Sequence, residues 1–87
     1  GSIANVDLVH ADNMKFVLMA FDAGTSLPPH RAPGNAILTA LEGKAIIDYE
    51  GQDYELNAGE SFRFDKNGLH SVTAQGKFKM SLLLVIE

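Results

Sequence analysis

The sequence contains no cysteine among its 87 residues. Disulfide bonds, zinc-thiolate centres and a cysteine nucleophile are therefore excluded. A chain of this length buries only a small core, so its stability must come from apolar packing, either within one chain or shared with a second copy. We therefore expect a single domain over residues 1–87 that assembles as a homodimer.

Long hydrophobic runs and concentrated positive charge are also missing. The longest apolar run, residues 16–21, is far shorter than the ~20 residues of a membrane-spanning helix. The N-terminus has no basic segment followed by an apolar stretch, as a secretory signal would have, and Gly1-Ser2 is typical of a cloning remnant. Seven scattered basic residues against 11 acidic ones give a net charge of -4, which disfavours nucleic-acid binding. The sequence predicts a cytoplasmic protein with neither a nucleic acid nor a membrane as its partner.

Motifs of several large enzyme classes are absent as well. There is no Gly-x-Ser-x-Gly elbow and no phosphate-binding Gly-Lys-Ser/Thr loop. The carboxylates fall at predicted turns or solvent faces, so no paired acid and base is indicated.

Regularly spaced glycines give the clearest sign of fold. From Gly24 to Gly76 they recur at intervals of 8 to 10 residues, which is typical of the turns of an antiparallel sandwich or barrel. Residues 44–50 and 61–65 alternate between apolar and polar side chains, as half-buried strands do. Residues 15–21 and 79–86 are almost continuously apolar, which favours strands buried on both faces, either at the centre of a sheet or at an interface. Helical periodicity is lacking, and we predict an all-β domain of short antiparallel strands.

Three histidines are the candidates for proton transfer or metal coordination near neutral pH. His10 lies among polar turn formers and is expected to be a surface residue. His30 follows the rigid Pro28-Pro29 pair, and His70 alternates in phase with apolar residues of the next predicted strand. We expect His30 and His70 to belong to the functional site.

The spacing around His30 resembles the first motif of the cupin family. Five residues lie between Gly24 and His30. One, three and six residues then separate His30, Ala32, Ala36 and Gly43 in turn. In cupins the positions of Ala32 and Ala36 normally carry metal-binding side chains. Here both are alanine, which has no donor atom.

The spacing around His70 is similar to the second cupin motif. Gly51, Asn57 and Gly59 are separated by five residues and one residue, and His70 follows. Over about residues 21–85 the resemblance implies a compact cupin-like jelly-roll β-barrel, usually dimeric, with a pocket inside one end.

The resemblance also implies candidate metal ligands. His30 and His70 occupy two of the four positions that hold a metal in cupins, and Asn35 is a candidate third donor for a divalent zinc, iron, manganese or nickel ion. Protein sites for such ions usually offer three or four ligands, so the pair predicts either an incomplete metal site or a metal-free pocket.

Three functions remain open at this point. The first is binding of a small apolar or carboxylate-bearing molecule in the barrel pocket, and the second is a metal-dependent oxygenase or isomerase that uses the two histidines. The third is a structural or regulatory role through dimerisation, with the N-terminal strand or residues 78–86 at the interface. The predicted ligand-binding residues are His30, Asn35, Phe62, Phe64, His70 and Met80. Met19 is a further candidate for the interior of the barrel.

Overall fold

Nine strands and no helix make up the regular structure of residues 2–86, the part of the chain that this computed structural model describes. In chain order they are β1 (Ile3–His10), β2 (Met14–Phe21), β3 (Ser26–Arg31), β4 (Asn35–Glu42), β5 (Lys44–Tyr49), β6 (Gln52–Asn57), β7 (Ser61–Phe64), β8 (Leu69–Ala74) and β9 (Phe78–Val85). Gly43 alone separates β4 from β5, and its φ of 78° lies in the left-handed region that glycine tolerates best. Within residues 2–86 no helix could span a membrane.

The strands form two sheets whose paired strands are all antiparallel. The five-stranded sheet has the order β1-β2-β9-β4-β7, and the four-stranded sheet has the order β3-β8-β5-β6. Neighbouring strands are often far apart in sequence, as in a jelly roll. The predicted all-β jelly-roll barrel is confirmed.

The core lies between the two sheets. Alternate residues of the central strands point inward and are buried, so that β8, for example, buries His70, Val72 and Ala74. The largest fully buried side chains come from both sheets and are Phe64, Phe78, Leu38, Ile47, Met80 and Val72. The two inner faces therefore share one apolar core.

The two long apolar runs form β2 and β9, which are neighbours inside the five-stranded sheet. On the inner face of β2, Val17, Met19 and Phe21 are buried. On its outer face, Phe16 and Leu18 are only half-buried. Both strands are central in their sheet, as predicted. Nothing in residues 2–86 forms a layer over the outer face, so burial of that face at an interface stays a prediction.

Pro28 and Pro29 lie in β3, an edge strand that pairs only with β8. The register between these strands shifts between Leu27 and His30, where the prolines lie. Proline has no N–H to donate, so an irregular edge strand is where a sheet accepts it. Regular pairing resumes at His30, which is opposite His70.

Candidate functional site

A cavity of about 230 Å³ lies between the two sheets. Most of its lining side chains are apolar, namely Val17, Met19, Leu27, Leu38, Phe64, Val72, Met80, Leu82 and Leu84. The polar side chains in the lining are Asn5, Lys15, His30 and His70. A mainly apolar cavity with a few polar groups is the usual form of a small-molecule site.

His30 and His70 form the most distinctive pair in this lining. They are opposed across β3 and β8, and their ring centroids are 4.2 Å apart with an interplanar angle of 58°. His70 is buried and stacks on Phe64, with ring centroids 4.0 Å apart and planes 15° from parallel. His30 is exposed, so the pair joins the core to the opening of the cavity.

Both imidazole rings are held by backbone carbonyls. His30 Nδ1 lies 3.1 Å from the carbonyl oxygen of Pro28, and His70 Nδ1 lies 3.0 Å from that of Gly68. A carbonyl oxygen only accepts hydrogen bonds, so Nδ1 must be the protonated nitrogen of each neutral ring. The Nε2 atoms are then hydrogen-bond acceptors.

Burial lowers the pKa of His70, because desolvation penalises its charged form. The hydrogen bond to Gly68 opposes this shift and the nearby His30 adds to it, but desolvation is the largest of the three effects. His70 is therefore neutral near pH 7, with Nε2 as an acceptor.

The structure brings some of the predicted ligand-binding residues to the cavity and not others. Phe64 and Met80 line it together with the two histidines. Asn35 does not, and its side-chain oxygen accepts a hydrogen bond of 2.9 Å from the backbone N–H of Lys66. Phe62 is also outside the lining, because its ring packs among the other aromatic rings on the side of Phe64.

These rings form a group that we call the aromatic cluster, which consists of Tyr49, Tyr54, Phe62 and Phe64. Phe62 lies 5.6 Å from Tyr49, 5.1 Å from Tyr54 and 5.2 Å from Phe64, measured between ring centroids. Of its four members only Phe64 reaches the lining, so the cluster contacts the cavity through this ring.

Two polar residues of the lining, Asn5 and Lys15, are absent from the predicted site. Lys15 alternates in phase with Val17 and Met19, and this pattern places it on the inner face of β2. Asn5 is opposite Met19 in β1 and shares that face. The phase of Lys15 is visible in the sequence, but the apolar run that follows it obscures the alternation.

His10 lies apart from the cavity lining. Its side chain is exposed, and its Nδ1 atom lies 3.9 Å from a carboxylate oxygen of Asp7. This agrees with the expectation of a surface histidine.

The residues at the expected metal position do not fit a firmly held ion. Ala32 and Ala36 are buried methyl groups without donor atoms, and the oxygen of Asn35 is engaged by Lys66. Within residues 2–86, no three or more His, Asp or Glu side chains are grouped so that they could hold a metal. Two imidazoles are one or two ligands short of the usual site.

Similarity to known proteins supports the fold and the family. A family model for the cupin domain matches residues 17–86. A Cupin 2 conserved barrel domain protein from Leptotrichia buccalis is 38% identical, with a TM-score of 0.94 over 98% of this chain and 41% of that protein's chain. No curated protein matches the sequence significantly.

Two more distant structures share the fold alone. A cupin superfamily protein from Desulfitobacterium hafniense has a TM-score of 0.96 at 22% identity, over 99% of this chain and 79% of its own. Salicylate 1,2-dioxygenase from Pseudoaminobacter salicylatoxidans has a TM-score of 0.88 at 17% identity, over 95% of this chain and 25% of its own.

Proposed function

This chain belongs to the cupin domain family, and we propose that it binds a small, mainly apolar organic molecule in its cavity, with His30 and His70 at the binding site. The observation that carries the proposal is the apolar cavity of about 230 Å³ with two imidazole rings in its lining. An apolar cavity of about 150 Å³ admits benzene. The present cavity therefore has room for one ring with a polar substituent.

The histidines determine whether that substituent must donate or accept a hydrogen bond. With Nδ1 bound to a backbone carbonyl, a neutral His70 offers Nε2 as an acceptor. A hydroxyl or N–H group of the ligand satisfies it. The stacking of His70 on Phe64 and the backbone contact fix the ring before binding, which reduces the entropy lost on association.

The test of this proposal compares two leucines of β9. Leu82 lines the cavity, whereas Leu83 lies on the opposite face of the strand. Leu82→Phe narrows the cavity, and Leu83→Phe adds the same bulk to the outer face. Phenol in the millimolar range is the probe, and its binding is followed through the NMR signals of the cavity methyl groups.

We expect saturable shifts of the Val17 and Met80 methyl signals in the parent protein and in Leu83→Phe, and their loss in Leu82→Phe. Thermal unfolding of both variants checks that they are folded. If phenol causes no saturable shift in the parent, or shifts these signals equally in both variants, the cavity is not the binding site.

The alternative function is a metal-dependent oxygenase or isomerase. The arrangement that favours it is the pair of Nδ1 contacts to backbone carbonyls, since metal-binding histidines are commonly oriented in this way. The donor set is nevertheless two imidazoles, and we propose ligand binding without a resident ion.

Elemental analysis of protein purified without a histidine tag separates the two functions. We expect far less than one transition-metal ion per chain, and phenol binding that chelator treatment leaves unchanged. Nearly one ion per chain, lost in His30→Ala, would instead establish the metal-dependent alternative.

A further inference from the structure

Lys15 is a charged residue on the inner face of an otherwise apolar strand. Its inward neighbours along β2, Val17 and Met19, are 4% and 7% exposed. Lys15 itself is half-buried and lines the cavity. A half-buried lysine packs its aliphatic stem on apolar surface and keeps its ammonium group available to water or to an anion.

No carboxylate of the described residues pairs with Lys15. The lysine and arginine ion pairs of residues 2–86 involve Arg31, Lys44, Arg63 and Lys79. The cavity lining also contains neither aspartate nor glutamate. The ammonium group of Lys15 is therefore the one formal charge in the lining when the histidines are neutral.

The strand register relates Lys15 to the histidine pair. Lys15 is opposite Leu84, Leu84 is opposite Ala36, and Ala36 is opposite Phe64, on which His70 stacks. Opposed residues of antiparallel strands share a face, so this row crosses the inner face of the sheet. Three strand spacings of about 4.8 Å separate the backbones of Lys15 and Phe64 by about 14 Å. Because Lys15 and both histidines line the same cavity, their side chains shorten the distance that a ligand must bridge.

We propose that Lys15 is the anion-binding residue of the cavity, and that the ligand is a compact monocarboxylate with a hydroxyl or N–H donor at its other end. The carboxylate pairs with Lys15, the donor meets Nε2 of the histidine pair, and the body lies on leucine side chains such as Leu84. This inference rests on the proposed binding function and adds the chemical class of the ligand.

The experiment uses two probes of the same shape. 4-Hydroxybenzoate carries the carboxylate, and 4-hydroxybenzamide replaces it with a neutral amide. Lys15→Met removes the charge with little change of length, and Lys15→Arg retains the charge. Lys77→Met is the matched control, because it changes the net charge equally at an exposed lysine outside the cavity lining.

Calorimetry or NMR titration gives both affinities for each protein. We expect the parent to bind the carboxylate about tenfold more tightly than the amide, since charge-assisted hydrogen bonds are roughly twice as strong as neutral ones. The preference should disappear in Lys15→Met, with affinity for the amide unchanged within about twofold. It should persist in Lys15→Arg and Lys77→Met.

The possible failures are distinct. If neither probe binds the parent, the proposed binding function itself is wrong, and this inference fails with it. If both probes bind the parent equally, or if Lys15→Met keeps the preference, the binding function stands and the role of Lys15 is overturned. Loss of the preference in Lys77→Met would attribute it to net charge instead of to Lys15, and would also overturn the inference.

Discussion

His30 and His70 are directly opposed, yet they lie in different environments. The ring of His70 is 5% exposed between Phe64 and His30, whereas His30 is open to solvent. The same side chain is therefore adapted to two tasks. In the proposed binding function, His70 provides a fixed neutral acceptor and His30 meets the ligand at the opening of the cavity.

The burial of His70 predicts a stability that depends on pH. Its pKa in the folded protein lies below the ordinary histidine value, so the unfolded chain takes up the proton first as the pH falls. The free energy of unfolding should therefore fall as the pH drops below about 6.5, and level off below the folded pKa. Urea unfolding between pH 7.5 and 5 measures this dependence. His70→Gln should remove most of it, and the exposed His10→Gln should leave it in place.

The result that contradicts this is equally clear. If the free energy of unfolding of the parent stays constant or rises as the pH falls from 7.5 to 5, burial does not disfavour the charged form of His70. A slope of equal size in His70→Gln would assign the effect to other groups.

At the residue scale, sequence reasoning identifies part of the candidate site. His30 and His70 are found from their motif positions, and Phe64 and Met80 from alternation together with the resemblance to cupins. Asn35 begins β4 and lies close to Lys66, where hydrogen bonding with the backbone decides the orientation of its side chain. Such a contact between residues 31 positions apart in sequence leaves no local pattern.

At the scale of elements, the close approach of β4 and β9 depends on Gly34. A Cβ atom there would collide with the carbonyl oxygen of Val85 and press on the backbone of Ile86. Gly34 precedes β4 directly, and the last residue of β9 lies against it. The φ of Gly34 is not in the left-handed region, so its backbone conformation does not require glycine. Glycine is required here because a side chain would have no space.

Gly34→Ala should lower the free energy of unfolding by about 3 kcal/mol, because backbone must shift to admit the methyl group. Gly51→Ala is the control, since Gly51 has a positive φ of 82° but open space around it. It should cost about 1 kcal/mol through backbone strain alone. Urea denaturation of both variants measures the difference. Equal losses of unfolding free energy in the two variants would show that the backbone at Val85 shifts at little cost.

The positions of the strands are easier to predict from this sequence than the way in which the strands pair. The alternating segments 44–50 and 61–65 correspond to β5 and β7, and the two apolar runs correspond to β2 and β9. β9 pairs with both β2 and β4, which are distant from it in sequence. A local periodicity cannot indicate such a pairing. Spacing that resembles the cupin motifs supplies this topology where the strand patterns cannot.

At the scale of the whole molecule, the outer face of the five-stranded sheet carries an open apolar row. Set by the strand register, it consists of Val9, Phe16, Leu83 and Ile37 and ends at Arg63 of β7. Val9 is 41% exposed and Ile37 is 46% exposed. An exposed apolar row with polar residues beside it suits a second copy of the same face, as in a two-fold symmetric dimer.

We therefore predict that the chain is a homodimer through this face. Light scattering at micromolar concentration should give twice the mass of one chain, and Ile37→Lys should give the monomer mass because it places a charge in the interface. Ile46→Lys makes the same change in β5 of the other sheet and should leave the dimer intact. A monomeric parent protein would contradict the prediction.

The aromatic cluster has an optical consequence for the whole protein. The sequence contains two tyrosines and no tryptophan, and both tyrosines belong to this cluster. Tyr49 lies 5.5 Å from Phe64, the ring that lines the cavity and stacks on His70. Tyrosine fluorescence of the unlabelled protein therefore comes from this cluster, and one of its two tyrosines, Tyr49, packs against a ring of the cavity lining. A change in the cavity wall at Phe64 should therefore alter the tyrosine emission of the protein without any added label.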